Sequence, residues 1–290
     1  VTDYVLLFAL ALIWSTSFLL IKVALEELAP FTLTAGRLII AALILVGYQI
    51  ICKESIPVDR NALLIYFVVG IVGNTLPFCL ISLGEVYIDS SLAAILMGIM
   101  PISTFVLAHF LIPAEPMTPR KLVGVSCGFF GLIALIGLTA LGQIGNQIFG
   151  QLAVLTGALC YTVSAIFVRR RPPFKGLHMA TGAAIVAAIT CLPLAIILES
   201  PLHLNVSTIP MVAMVSLGIF HTAITALIYF RVIRNLGAVT FAHINYLIPV
   251  LGSIWGVIIL GEAPGWRIIV ALGLVLAGIY FIQPRKSEVV

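Results

Sequence analysis

The chain is expected to be an all-α integral membrane protein, with ten transmembrane helices arranged as two inverted five-helix repeats. Three observations lead there: an extreme apolar composition, ten apolar stretches of bilayer length, and a similarity between the two halves. Of the 290 residues, 62% are hydrophobic and 9% charged, with a mean hydropathy of +1.22. Soluble domains are roughly 45–50% apolar and about 25% charged. So few charges cannot make a water-facing surface.

A hydrocarbon core of about 30 Å takes about 20 residues of helix. Stretches of that kind run over 4–25, 31–51, 61–83, 90–111, 120–141, 150–169, 178–198, 208–230, 239–260 and 267–284. Each is continuously apolar, without the alternation of a barrel strand. The first continues past signal-peptide length without a small-residue cleavage site, so it is expected to stay as a span. The connections are too short for a soluble domain. Lys and Arg collect in alternate connections, among them Lys53, Arg60, Arg120, Lys121, Arg169, Arg170, Arg171, Lys175, Arg231 and Arg234, and in the tail at Arg285 and Lys286. The opposite connections hold Lys22 and Arg267. By the positive-inside rule both termini are cytoplasmic. The net charge of +4 is then a topology signal, and no nucleic-acid partner is expected.

The halves divide at residues 1–142 and 143–290. "ALIWSTSFLLIK" (11–22) aligns with "ALCYTVSAIFVR" (158–169), pairing Trp14 with Tyr161 and Ser17 with Ser164. Gly70 pairs with Gly218 and Pro101 with Pro249; after a one-residue gap Glu115 pairs with Glu262, Arg120 with Arg267 and Gly131 with Gly278. With five spans per half the second must enter from the opposite side, which is the architecture of secondary transporters with a site near the midplane.

"LIWSTSFLLIK", an Arg early in the second span and the ending "GEAPGWRIIVALGLVLAGIY" resemble the drug/metabolite transporter superfamily, in its ten-helix branch with paired EamA-type repeats. The first repeat departs from the pattern, with "IPAEP" where the second has "LGEAP". The resemblance covers the whole chain. It implies export of metabolites or drugs across the bacterial inner membrane, and kinship with aromatic amino-acid exporters.

Polar and aromatic residues at mid-depth are the candidates for a substrate cavity. Trp14 and Tyr161, paired by the repeat, could stack on a flat substrate or simply pack the core; Ser17 and Ser164 accompany them. In the eighth span Gly218, His221, Thr222, Thr225 and Tyr229 form a polar stripe, which in lipid must face protein or water. The third span offers Gly70, Asn74 and Pro77. Pro101 and Pro249 remove a backbone bond in mid-span, freeing the carbonyls of Met97 and Asn245, and are candidate hinges. Asn245 is included among the cavity residues. His109 and His243 are expected nearer the cytoplasmic interface. Gly124 and Gly128 read as a helix-packing pair.

Arg37, six residues into the second span, is expected either as an outer-side latch paired with Glu26, Glu27, Glu85 or Asp89, or as the ligand of a substrate carboxylate. Arginine suits both because its planar fork pairs with carboxylates through two bonds. All eleven Asp and Glu residues fall at helix ends, loops or tails, leaving His221 as the candidate for proton coupling if transport is not simple facilitated diffusion. The cysteines, Cys52, Cys79, Cys127, Cys160 and Cys191, are scattered without metal-ligand spacing, and no cofactor or metal is expected. No GxxxxGK[ST] motif is present, so ATP is not an expected partner. Without GxSxG or HExxH an intramembrane enzyme is disfavoured. A passive channel for small solutes is the alternative to a carrier. The expected partners are a small-molecule substrate and the bilayer, with a monomer sufficient.

Overall fold

The computed structural model describes residues 2–136, 147–171, 175–200, 206–260 and 266–282, and these are all helix and connection. The C-terminal tail and the "GEAP" segment carrying Glu262 lie outside the described residues, as does the connection at 137–146. In chain order the α-helices are α1 (Thr2–Trp14), α2 (Ser17–Ala24), α3 (Pro30–Ile51), α4 (Arg60–Gly70), α5 (Leu76–Tyr87), α6 (Ser90–Leu96), α7 (Ile99–Leu111), α8 (Pro119–Ile136), α9 (Ile148–Arg170), α10 (Gly176–Glu199), α11 (Thr208–Gly218), α12 (Thr225–Leu236), α13 (Ala238–Ala242), α14 (Ile244–Leu260) and α15 (Trp266–Ile282). Among the described residues, eight continuous or nearly continuous segments are long and apolar enough to cross a membrane, and α15 is a shorter apolar helix.

Several expected spans are not single helices. The first breaks at Ser15–Thr16, between α1 and α2, and the fourth at Met97–Gly98, between α6 and α7. The ninth breaks at His243, between α13 and α14. The third and eighth each contain a π turn, Ile71–Thr75 joining α4 to α5 and Ile219–Ile224 joining α11 to α12. A π turn inserts one residue and leaves a carbonyl without its usual i+4 partner. In both, a threonine hydroxyl donates five residues back: Thr75 to the Gly70 carbonyl at 3.1 Å and Thr222 to the Leu217 carbonyl at 2.9 Å.

The proline expectations need one correction. The helix breaks do not coincide with Pro101 and Pro249 but precede them, and the Met97 carbonyl is taken by the Met100 amide in a tight turn at 3.0 Å. Pro249 lies inside α14.

Packing is close where the residues are small. Helices α8 and α15 approach along Gly124, Gly128 and Gly131 on one side and Gly278 and Ala271 on the other. A Cβ on Gly124 would come within 2.8 Å of the Gly278 carbonyl oxygen, and one on Gly128 within 2.2 Å of the Tyr246 ring. The expected glycine pair therefore packs, against α15 and α14. Helix α3 packs on α10, α5 on α9, and α1 and α2 on α12 and α11. Exchanging the halves of the chain maps these pairs onto one another. Outward, Leu43, Phe110, Phe130 and Ile197 are 60–76% exposed. Side chains of that size in such number face lipid rather than water.

Apart from Arg37, the charged side chains among the described residues gather at the two ends. At the Lys/Arg-rich end Asp3 pairs with Arg231, Glu54 with Lys175 and His178, and Glu115 with Arg169. Glu115 also accepts from the amides of Ala238 and Val239, filling the open N-terminus of α13. At the other end Glu199 caps α3 through Phe31 N, Thr32 N and the Thr32 hydroxyl, and Glu27 accepts from Ser207 N and Oγ.

Candidate substrate cavity

The broken first span and the π turn of the eighth meet at the centre of the bundle. The carbonyl of His221, inside the π turn, accepts from the Trp14 indole at 3.2 Å and from the Thr225 hydroxyl at 2.8 Å. His221 faces the break directly. Its Nδ1 lies 3.2 Å from the Ser216 carbonyl and its Nε2 2.9 Å from the Thr16 hydroxyl. A carbonyl only accepts, so Nδ1 carries a proton. The Thr16 hydroxyl lies within hydrogen-bond distance of both Nε2 and the Ile13 carbonyl, the latter at 3.0 Å, and its single proton serves one of them at a time.

This junction forms one wall of a cavity of about 130 Å³. Trp14, Ser17, Asn74, Tyr161, Ser164, His221, Thr225 and Asn245 all line it, and so does Arg37. Pro101 and Pro249 do not. Thr222 and Tyr229, from the polar stripe, also contribute, and Tyr229 faces Ser164. Asn245 donates to the Ala242 carbonyl at 3.1 Å, across the break before α14, and approaches the Met100 sulfur at 3.0 Å. The break thus turns an amide toward the cavity.

Arg37 is 3% exposed. The acid partner expected for it is not at ion-pair distance: among the described residues its guanidinium forms no ion pair. It instead donates from Nε and Nη2 to Thr222 Oγ1 at 3.2 and 3.1 Å, and lies 4.0 Å above the Phe78 ring. Phe78 in turn meets Tyr161 edge-on, with centroids 6.2 Å apart. Phe78 and Thr16 had no signal in sequence, because one is an ordinary apolar residue in an apolar span and the other reaches His221 only through the break. His243 also differs from expectation. It is 1% exposed rather than interfacial, and its Nδ1 is 2.8 Å from the Val239 carbonyl.

An all-helical bundle with a lipid-facing apolar belt, enclosing a small cavity of aromatic and polar side chains, defines a multi-pass membrane transporter. The EamA-like transporter family model matches the chain twice, over residues 2–137 and 148–283, and the chain belongs to that family. It is similar to the uncharacterized transporter YoaV of Bacillus subtilis, 25% identical over 94% of this chain and 93% of that one. A Chlamydia trachomatis protein named S-adenosylmethionine/S-adenosylhomocysteine transporter is 25% identical over 98% of this chain and 90% of its own. The uncharacterized inner membrane transporter YedA of Escherichia coli is 22% identical over 97% and 90%. A solved crystal structure superimposes with a TM-score of 0.78 at 22% identity, covering 97% of this chain and 96% of the other.

Proposed function

We propose that the protein is a secondary transporter that exports small organic metabolites, amino acids including aromatic ones, or drugs, across a bacterial inner membrane by alternating access. In this reading ten helices form two inverted repeats with both termini in the cytoplasm. The halves-exchanging packing pairs and the two family matches support it. The observation that carries the substrate class is Arg37 lying over Phe78 at the wall of an aromatic cavity. A permanent cation with free donors suits a carboxylate, and the rings suit a flat apolar group. The cavity is near the roughly 150 Å³ that admits a benzene ring, so this conformation has room for one ring.

The test is uptake into proteoliposomes, comparing tryptophan, phenylalanine, leucine and a cationic drug with and without a pH gradient. S-adenosylmethionine and S-adenosylhomocysteine belong in the same screen, since each has an aromatic base and an amino-acid carboxylate. Saturable flux with counterflow is the expected result. Non-saturating flux without counterflow would make the protein a channel.

A further inference from the structure

Glu85 sits in the last turn of α5 at the Lys/Arg-poor end, one turn beyond the cavity residue Ile81. It is completely buried, and among the described residues neither carboxyl oxygen has a hydrogen-bond partner. An ionised carboxylate buried without donors costs several kcal/mol, whereas a protonated carboxyl loses much less. In this conformation the side chain therefore carries a proton.

The surrounding groups give the ionised form a place to go. From α2, Lys22 Nζ donates to the main-chain carbonyls of Glu85 itself at 2.8 Å and of Ile88 at 3.3 Å. A cation is thus already anchored beside the acid without touching its carboxyl. From α3, Arg37 lines the same cavity as Ile81 and supplies a second cation. From α9, Gly150 and Val154 pack against Gly84, and Tyr161 faces Arg37. Thr34 meets Ser82 one turn back on α5. Asp89 follows in the connection to α6.

We propose that Glu85 is a proton-binding site that couples movement of this end of the bundle to the pH. It takes up one proton when the helices close over it and gives that proton to water when they open. The ionised carboxylate of the open form is then held by Lys22 and Arg37. This rests on the transporter reading, and the experiment separates the two.

The probe is the proton alone. Proteoliposomes on a solid-supported membrane receive a pH step without substrate, and the transient charge displacement is recorded. Wild-type protein should give a transient current. Glu85→Gln, matched to wild type for monodispersity and melting temperature, should reduce it at least fivefold, and Glu85→Asp should retain it. Saturable flux in Glu85→Gln should continue but no longer respond to a pH gradient. An equal current in wild type and Glu85→Gln, or none in wild type, would overturn the proton site and leave the transporter reading to its own flux data. A current lost in Glu85→Gln without saturable flux of any screened solute would support the proton site and overturn the proposed substrate classes. If Glu85→Gln does not assemble, Lys22→Met decides: loss of the neighbouring cation should move the midpoint of the current to higher pH, and an unmoved midpoint overturns the proposal.

Discussion

Arg37 shows how much of a residue's role depends on neighbours that are far away in sequence. Its charge is visible in the chain, but its surroundings, Thr222 and Phe78, come from the opposite half and from an apolar stretch. As a carboxylate ligand, it should be needed selectively. Arg37→Gln should weaken binding of carboxylate-bearing substrates about ten- to a hundredfold, matching the about 1.5–3 kcal/mol of a charged hydrogen bond, and spare cationic ones. Competitive uptake in proteoliposomes measures this, and equal loss for both classes argues for a structural role. Trp14 makes a gentler claim. Its ring meets Phe241 edge-on at 6.2 Å and its indole N–H is anchored on the π turn. Trp14→Ala should cost aromatic substrates about two- to tenfold, since an aromatic pair is worth about 0.5–1.5 kcal/mol beyond burial. A similar loss for leucine would identify the ring as packing only.

At the level of helices, interruptions determine which polar groups face inward. The break at Ser15–Thr16 aims Thr16 at His221, while the Trp255 indole donates to Ser15 at 2.9 Å. Pro101→Ala and Pro249→Ala test whether the breaks in the fourth and ninth spans move. If they do, cysteine accessibility at the two ends of the bundle should shift in opposite senses. Unchanged labelling and flux would mean static bends. The apolar stretches were legible in sequence because lipid demands continuous hydrophobicity, and the matched Trp14 and Tyr161 were legible because the repeat aligns them. The π turns were not, since an inserted residue leaves no mark in a span that is apolar throughout. The burial of Glu85 was also hidden: its place near a helix end suggested water, whereas α2 and α3 cover it.

Across the molecule, the ion pairs among the described residues link elements at the rims rather than in the middle. Glu54, in the connection before α4, is held below the usual carboxylate range chiefly by Lys175, with His178 also contributing. Glu27, between the first two spans, is lowered by the Ser207 amide and then by its hydroxyl. A lowered folded-state value means stabilisation that is complete above the ordinary carboxylate value of about 4.3 and is lost as pH falls through the lower folded value. Melting temperature in detergent should therefore decline on the acid side, and Glu54→Gln should flatten that part of the profile by lowering the melting temperature near neutrality while leaving it unchanged at the acid end. Glu27 is exposed and Glu54 only half-buried, so the effect is small and weakens with added salt.

The two π turns also set where the chain can change length. Each residue added to a plain α-helix rotates everything beyond it by about 100°, which would swing half of a span's lining away from the cavity. A π turn already contains one surplus residue and absorbs that rotation locally. Deleting one residue within Ile71–Thr75 should thus restore an ordinary helix and preserve the facing of both flanks. The same deletion within Arg60–Gly70 would misalign them. Expression of monodisperse protein from a single-codon deletion scan across the third span should show tolerance confined to the π turn, and uniform intolerance would contradict it.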